Sequence, residues 1–121
     1  MSRRNKDLGD WGENQACKFL ERHGFKIIER NYHTTLGEID VIAAKGDDYY
    51  FIEVKTRTGS DFAHDDAISY FQKRKLAKAI RAYCYSRNIT NKSLITAGLI
   101  VELKRAEGKV SFRFCVMCWL C

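Results

Sequence analysis

Asp40, Glu53 and Lys55 alternate with apolar residues in the stretch 38–55, a spacing that lets acids distant in the chain meet. Two runs of β-favouring residues flank Lys45-Gly46-Asp47-Asp48, the signature of antiparallel strands joined by a four-residue loop. One face of this hairpin is then apolar, with Ile39, Val41 and Ala43 on the first strand and Tyr50, Ile52 and Val54 on the second. The other carries Glu38, Asp40, Glu53 and Lys55. Slipping one strand by a residue would drive Glu53 and Lys55 into the apolar layer, so Ala44 faces Tyr49, Asp40 faces Glu53 and Glu38 faces Lys55. Opposed residues have Cβ atoms about 4.5–5.5 Å apart, and two carboxylates at that range repel. A divalent cation would remove the repulsion, and hard oxygen ligands with room for water suit Mg²⁺ or Mn²⁺ better than zinc. A solvated acidic face is the plainer reading of alternating acids. The Asp40, Glu53-x-Lys55 arrangement weighs against it.

The neighbouring elements must position these groups and bring others to them. Residues 7 to 23 read as a helix, with Leu8, Trp11, Ala16, Phe19, Leu20 and His23 at helical spacing, Asp7 as cap and Gly24 as stop. Glu13 falls in its early turns, where the helix dipole alone would favour an acid. Gly9 and Gly12 are poor helix formers, which points to a backbone or a ligand close beside them. Phe25 to Tyr32 reads as a strand, with Phe25, Ile27 and Glu29 on one face and Ile28, Arg30 and Tyr32 on the other. Asn31 to Gly37 then turns the chain into the hairpin.

After Lys55, the segment Thr56 to Asp66 has no periodicity and reads as a mobile loop suited to contacting a ligand. Ala67 to Arg87 reads as a second helix capped by Asp65 or Asp66, burying Ile68, Phe71, Leu76, Ala79, Ile80 and Tyr83. Lys73, Arg74, Lys75, Lys78 and Arg81 give it a basic surface. Such a surface is ordinarily solvated, and binds phosphate if it lies beside the acidic hairpin. Residues 93–103 read as an apolar strand, and a turn at 105–108 leads to Val110, Phe112, Phe114 and Val116 as inward residues of a last strand.

At 121 residues the chain is expected to be one domain, 1–121, with a core of its own. It has no apolar run of the roughly eighteen residues a membrane span needs, and no hydrophobic segment follows Met1 to Lys6. The expected address is the cytoplasm, with no membrane partner. Lys and Arg number 21 against 15 acidic residues, a net charge of +6 that favours a polyanionic partner. Cys17, Cys84, Cys115, Cys118 and Cys121 are expected as reduced thiols. The last three could bind a soft metal if a fourth ligand came from elsewhere, but a packed or frayed terminal strand is the plainer reading. His23, His33 and His64 share no ligand spacing.

Glu13 on a helix, Gly37-Glu38-Ile39-Asp40, Phe51-Ile52-Glu53-Val54-Lys55-Thr56-Arg57, and a second helix with Ala67-Ile68 and Lys73 follow one another in a familiar order. Over roughly residues 8–85 the chain resembles the YraN-like family of small bacterial proteins, which are similar to the archaeal Holliday-junction resolvases within the PD-(D/E)XK nuclease superfamily. The resemblance implies an α/β fold with a restriction-endonuclease-like core, a mixed sheet of about four or five strands flanked by helices. Its nuclease relatives imply Mg²⁺-dependent hydrolysis of DNA phosphodiesters. On that footing Asp40 and Glu53 are the metal-binding carboxylates, Lys55 the catalytic lysine, and Glu13 the helix-borne acid that completes the metal shell. Arg57, Lys73, Arg74 and Lys75 would hold backbone phosphates without reading bases, which fits branched or distorted DNA. A homodimer is one assembly the resemblance allows. Because a fold does not ensure a function, a catalytically silent nucleic-acid-binding or assembly protein is the alternative.

Overall fold

The elements follow as α1 (Arg3–Arg22), β1 (Lys26–Thr34), β2 (Gly37–Lys45), β3 (Asp48–Thr58), α2 (Tyr70–Arg87), β4 (Ser93–Lys104) and β5 (Lys109–Leu120). A computed structural model describes the backbone of residues 3–58 and 70–120 and the side chains of 6–58 and 75–117. The strands form one sheet in sequence order, with the hairpin β2–β3 at its middle. β3 and β4 run parallel and the other neighbours antiparallel. A parallel pair cannot be closed by a tight turn, and the connection that carries α2 supplies the crossover. This is a five-stranded mixed α/β sheet, consistent with a restriction-endonuclease-like core.

Each face of the sheet is covered by one helix. Ala16, Cys17 and Leu20 of α1 pack on Val41, Ala43, Ile52, Ala97, Leu99 and Val101. Leu76, Ala79, Ile80 and Tyr83 of α2 pack on Ile39, Ile42 and Phe51. Strands buried on both faces carry continuous apolar runs, and Val41, Ile42 and Ala43 are all fully buried. The expected hairpin with one apolar and one acidic face is therefore corrected: Ile42 and Phe51 lie beneath α2.

The expected register holds where the strands pair, from Val41 opposite Ile52 through Ala44 opposite Tyr49. Lys45 also pairs with Asp48, so the loop is Gly46 and Asp47 alone, with Gly46 at φ +62°. Beyond Val41 and Ile52 the ladder ends, one step before Asp40 and Glu53.

Alternation fails in β1 and β2 together. Ile39 and Ile42, three residues apart, both face α2, whereas Val41 between them faces α1. Across the ladder Arg30 pairs with Val41 and Tyr32 with Ile39, and between those two pairs Asn31 takes a left-handed φ of 52°. Asparagine visits that conformation more readily than other non-glycine residues. Asn31 is thus a twist point inside β1, and the turn expected to begin there is confined to residues 35–36. A further irregularity between Ile27 and Glu29 breaks the expected faces of β1. Glu29 meets Arg87 at the end of α2 at 3.3 Å, while Arg30 turns to α1.

Other boundaries also shift. α1 begins before Asp7, which is inside the helix and not its cap, while Gly24 at φ +88° supports the expected stop. Arg57 belongs to β3, which pairs with β4 as far as Thr58, and not to a loop. The rest of that expected loop with His64, the caps Asp65 and Asp66, and Ile68 lie outside the described residues, as does the side chain of Phe71. Phe112 of β5 stacks on Phe19 at 4.6 Å, and Phe114 lies 5.9 Å from Phe25. Val116, expected inward, sits past that aromatic row beside a ladder irregularity and is half exposed. Cys17, Cys84 and Cys115 are free thiols; the side chains of Cys118 and Cys121 lie outside the description, and with them the thiolate cluster. Among the described residues no helix is long and apolar enough to cross a membrane.

Candidate metal and phosphate site

The Val54 N–H donates to Asp40 Oδ2 at 2.8 Å, just past the point where the β2–β3 ladder ends. The carboxylate stands in for a ladder carbonyl, so the parting strands hold Asp40 in place. Asp40 lines a cleft of about 310 Å³ between α1 and the sheet, with Leu8, Gly9, Glu13, Val54, Lys55 and Thr56. Burial pushes its carboxyl up to about 7, opposed by the Val54 N–H and helped by the negative charges of Glu53, Glu13 and Glu38.

Glu13 reaches this cleft because α1 can settle on β3 at Gly12. A Cβ at position 12 would collide with Thr56 Oγ1, so glycine is required for that approach. Arg30 Nη2 stands 3.6 Å from Glu13 Oε1 and donates at 2.8 Å to Asn14 Oδ1. The longer distance is too great for a hydrogen bond, and among the described residues Glu13 Oε1 is buried without a hydrogen-bond partner. Such an orphaned acceptor is costly and calls for an explanation.

Glu53 lines a second cleft of about 430 Å³ between α2 and the β1–β2 turn, together with Glu38, Lys75 and Leu76. Burial raises its carboxyl above the ordinary range, with Lys55 opposing the shift and Glu38 adding to it. Lys55 Nζ lies 3.9 Å from Glu53 Oε1, and Lys55 also lines the Asp40 cleft. Glu13, Asp40 and Lys55 are thus brought into one cleft, with Glu53 beside it, tied to Lys55 and felt by Asp40 as charge. The single wet face expected for Glu38, Asp40, Glu53 and Lys55 is corrected, since the twist at Asn31 turns Asp40 toward α1. Among the described residues no three His, Cys, Asp or Glu side chains gather as a ready ligand set for a metal.

Lys75 is the one expected phosphate ligand of α2 whose side chain is described, and it lines the Glu53 cleft. Gly37 allows this approach, because a Cβ there would lie 2.7 Å from the Lys75 carbonyl oxygen. Lys73 and Arg74 belong to the same helix, but their side chains lie outside the described residues. Arg57 sits opposite Glu102 in the β3–β4 register and donates through Nη1 to the Thr56 carbonyl at 3.3 Å. The sequence reading missed Arg30 as a neighbour of Glu13. Strand alternation placed it with Ile28 and Tyr32, and only the irregularity in β1 turns it to α1.

A model of the uncharacterised protein family UPF0102 matches residues 12–118, a span that holds every one of these groups except Leu8 and Gly9. A UPF0102 protein of Acinetobacter baylyi is 46% identical over 77 residues, covering 63% of this chain and 55% of that one. One from Geobacter metallireducens is 45% identical over 80 residues, covering 65% and 66%. One from Clostridioides difficile is 38% identical over 107 residues, covering 88% and 93%. The match therefore spans little more than half of the first relative's length and nearly all of the third's.

Proposed function

We propose that this chain, which belongs to the YraN-like UPF0102 family, is an Mg²⁺- or Mn²⁺-dependent endonuclease acting on branched or distorted DNA. What supports the reading is the pair of carboxylates gathered between α1 and the sheet. Asp40, held up near 7, and Glu13, with a buried oxygen that lacks a hydrogen-bond partner among the described residues, share a cleft, and Glu53 is near enough for Asp40 to feel its charge. A donor set of hard oxygens alone fits a divalent cation of the Mg²⁺ type. Mg²⁺ keeps several waters and takes one or two protein carboxylates plus phosphate oxygens, so a complete protein cage is not needed. Asp40, with Glu13 or Glu53 as the second carboxylate, would hold it. When bound, the ion would supply Lewis acidity at the phosphate and a water of lowered pKa.

The chain's own groups do the rest. The Val54 N–H fixes the orientation of Asp40, as groups behind a metal ligand commonly do. Lys55 sets positive charge between the two clefts, where negative charge would grow on phosphorus. Lys75, with Lys73, Arg74 and Arg57, would bind backbone phosphates whatever the sequence, which is recognition by shape.

The test is Mg²⁺-dependent cleavage of four-way junctions, flaps, single strands and linear duplexes. We expect branched substrates to be cut by the wild type, and Asp40→Asn, Glu53→Gln and Lys55→Ala each to lose at least about 10²-fold in rate while staying folded. Salt-sensitive DNA binding without cleavage, and without stabilisation by either ion, would assign the chain to the silent nucleic-acid-binding alternative.

A further inference from the structure

Two glycines lie three residues apart in α1, and among the described residues packing explains only one of them. Gly12 is pressed against Thr56. Gly9 is not, since a Cβ built there meets no atom of the described residues within 4 Å beyond its own helix and chain neighbours. Glycine inside a helix is unfavourable relative to alanine because it surrenders more backbone freedom, and no contact among the described residues requires it here. Its position suggests a different use. Gly9 is four residues before Glu13, on the same stripe of the helix. Helical side chains lean toward the N-terminus, which carries the Glu13 carboxylate over the turn that holds residue 9. Gly9 accordingly lines the cleft with Glu13, Asp40 and Lys55.

We infer that Gly9 is a substrate-admitting position, whose missing side chain leaves room for a phosphodiester of a nucleic-acid strand to lie against α1 beside Glu13 and Asp40. The inference rests on the nuclease reading. A hydrated cation needs less room than a phosphodiester with its flanking sugars. Filling the space should therefore exclude the strand and spare the ion, acting on KM more than on kcat.

The experiment compares wild type, Gly9→Ala and Gly9→Leu by thermal unfolding, by Mn²⁺ titration without DNA, and by Mg²⁺-dependent cleavage of a four-way junction. Gly9→Ala should melt roughly 3–5 °C above wild type, because the helix gains and its Cβ meets nothing among the described residues. Both variants should bind Mn²⁺ within about twofold of wild type, while Gly9→Leu raises KM at least about tenfold with kcat within about threefold. A wild-type KM in Gly9→Leu overturns the inference, as does a lowered melting temperature in Gly9→Ala or a Mn²⁺ affinity that falls together with cleavage. A wild type that neither binds Mn²⁺ nor cleaves removes the nuclease reading itself, and the role of Gly9 with it.

Discussion

A carboxyl that ionises less easily in the folded chain than in the unfolded one ties stability to pH. Asp40 stands at about 7 against an ordinary 3.8, so between those values the folded state binds more protons than the unfolded state. Stability is then greatest below the ordinary carboxylate range and is lost as pH rises through 7, by up to about 4 kcal/mol from this residue. Glu53 acts in the same direction. Urea unfolding of the metal-free protein should show this fall between mildly acidic and neutral pH. Asp40→Asn, which keeps an acceptor for the Val54 N–H, should flatten the profile and be the more stable protein above pH 7. Mn²⁺ at a hundred times its Kd should restore about 2.7 kcal/mol to the wild type at that pH and nothing to Asp40→Asn. A flat wild-type profile would show that Asp40 ionises normally.

At the scale of elements, the docking of α1 on β3 decides where Glu13 sits. Gly12→Ala gains about 1 kcal/mol of helix propensity but forces a methyl group into Thr56, and overpacking of that kind costs about 1–3 kcal/mol. A net loss is expected, opposite in sign to the Gly9→Ala effect one turn away. The two positions also differ in coupling. Thr56→Ala removes both the Oγ1 and the Cγ2 that the new methyl would meet, so the double variant should be more stable than the two single changes predict, by about 1 kcal/mol. Additive losses in denaturant titrations would mean that α1 rests on β3 somewhere else.

The whole molecule carries a net charge of +6, and its basic residues include Lys73, Arg74 and Lys75 in the first turns of α2. Each phosphate contact adds about 0.9 to the slope of log affinity against log salt. Replacing all three with alanine should weaken junction binding and reduce that slope by about 2–3, read by fluorescence anisotropy across a salt series. An unchanged slope would take α2 off the DNA-binding surface.

Local pattern was enough to locate Asp40, Glu53 and Lys55 and to set the hairpin register, which holds from Lys45–Asp48 to Val41–Ile52. A period of two and the exclusion of a charged core need only neighbouring residues. Helical periodicity likewise marked the buried stripe of Leu76, Ala79, Ile80 and Tyr83, whereas Glu13 was singled out only by the family resemblance. The direction in which Asp40 points was not legible, because it depends on one left-handed residue, Asn31, in the adjoining strand. Nor was the state of Glu13, whose buried oxygen and distant Arg30 exist only once α1 has docked and β1 has slipped its alternation. Sequence spacing determined which groups could meet; the packing of two helices on opposite faces of one sheet decided which cleft each group entered and what burial did to its charge.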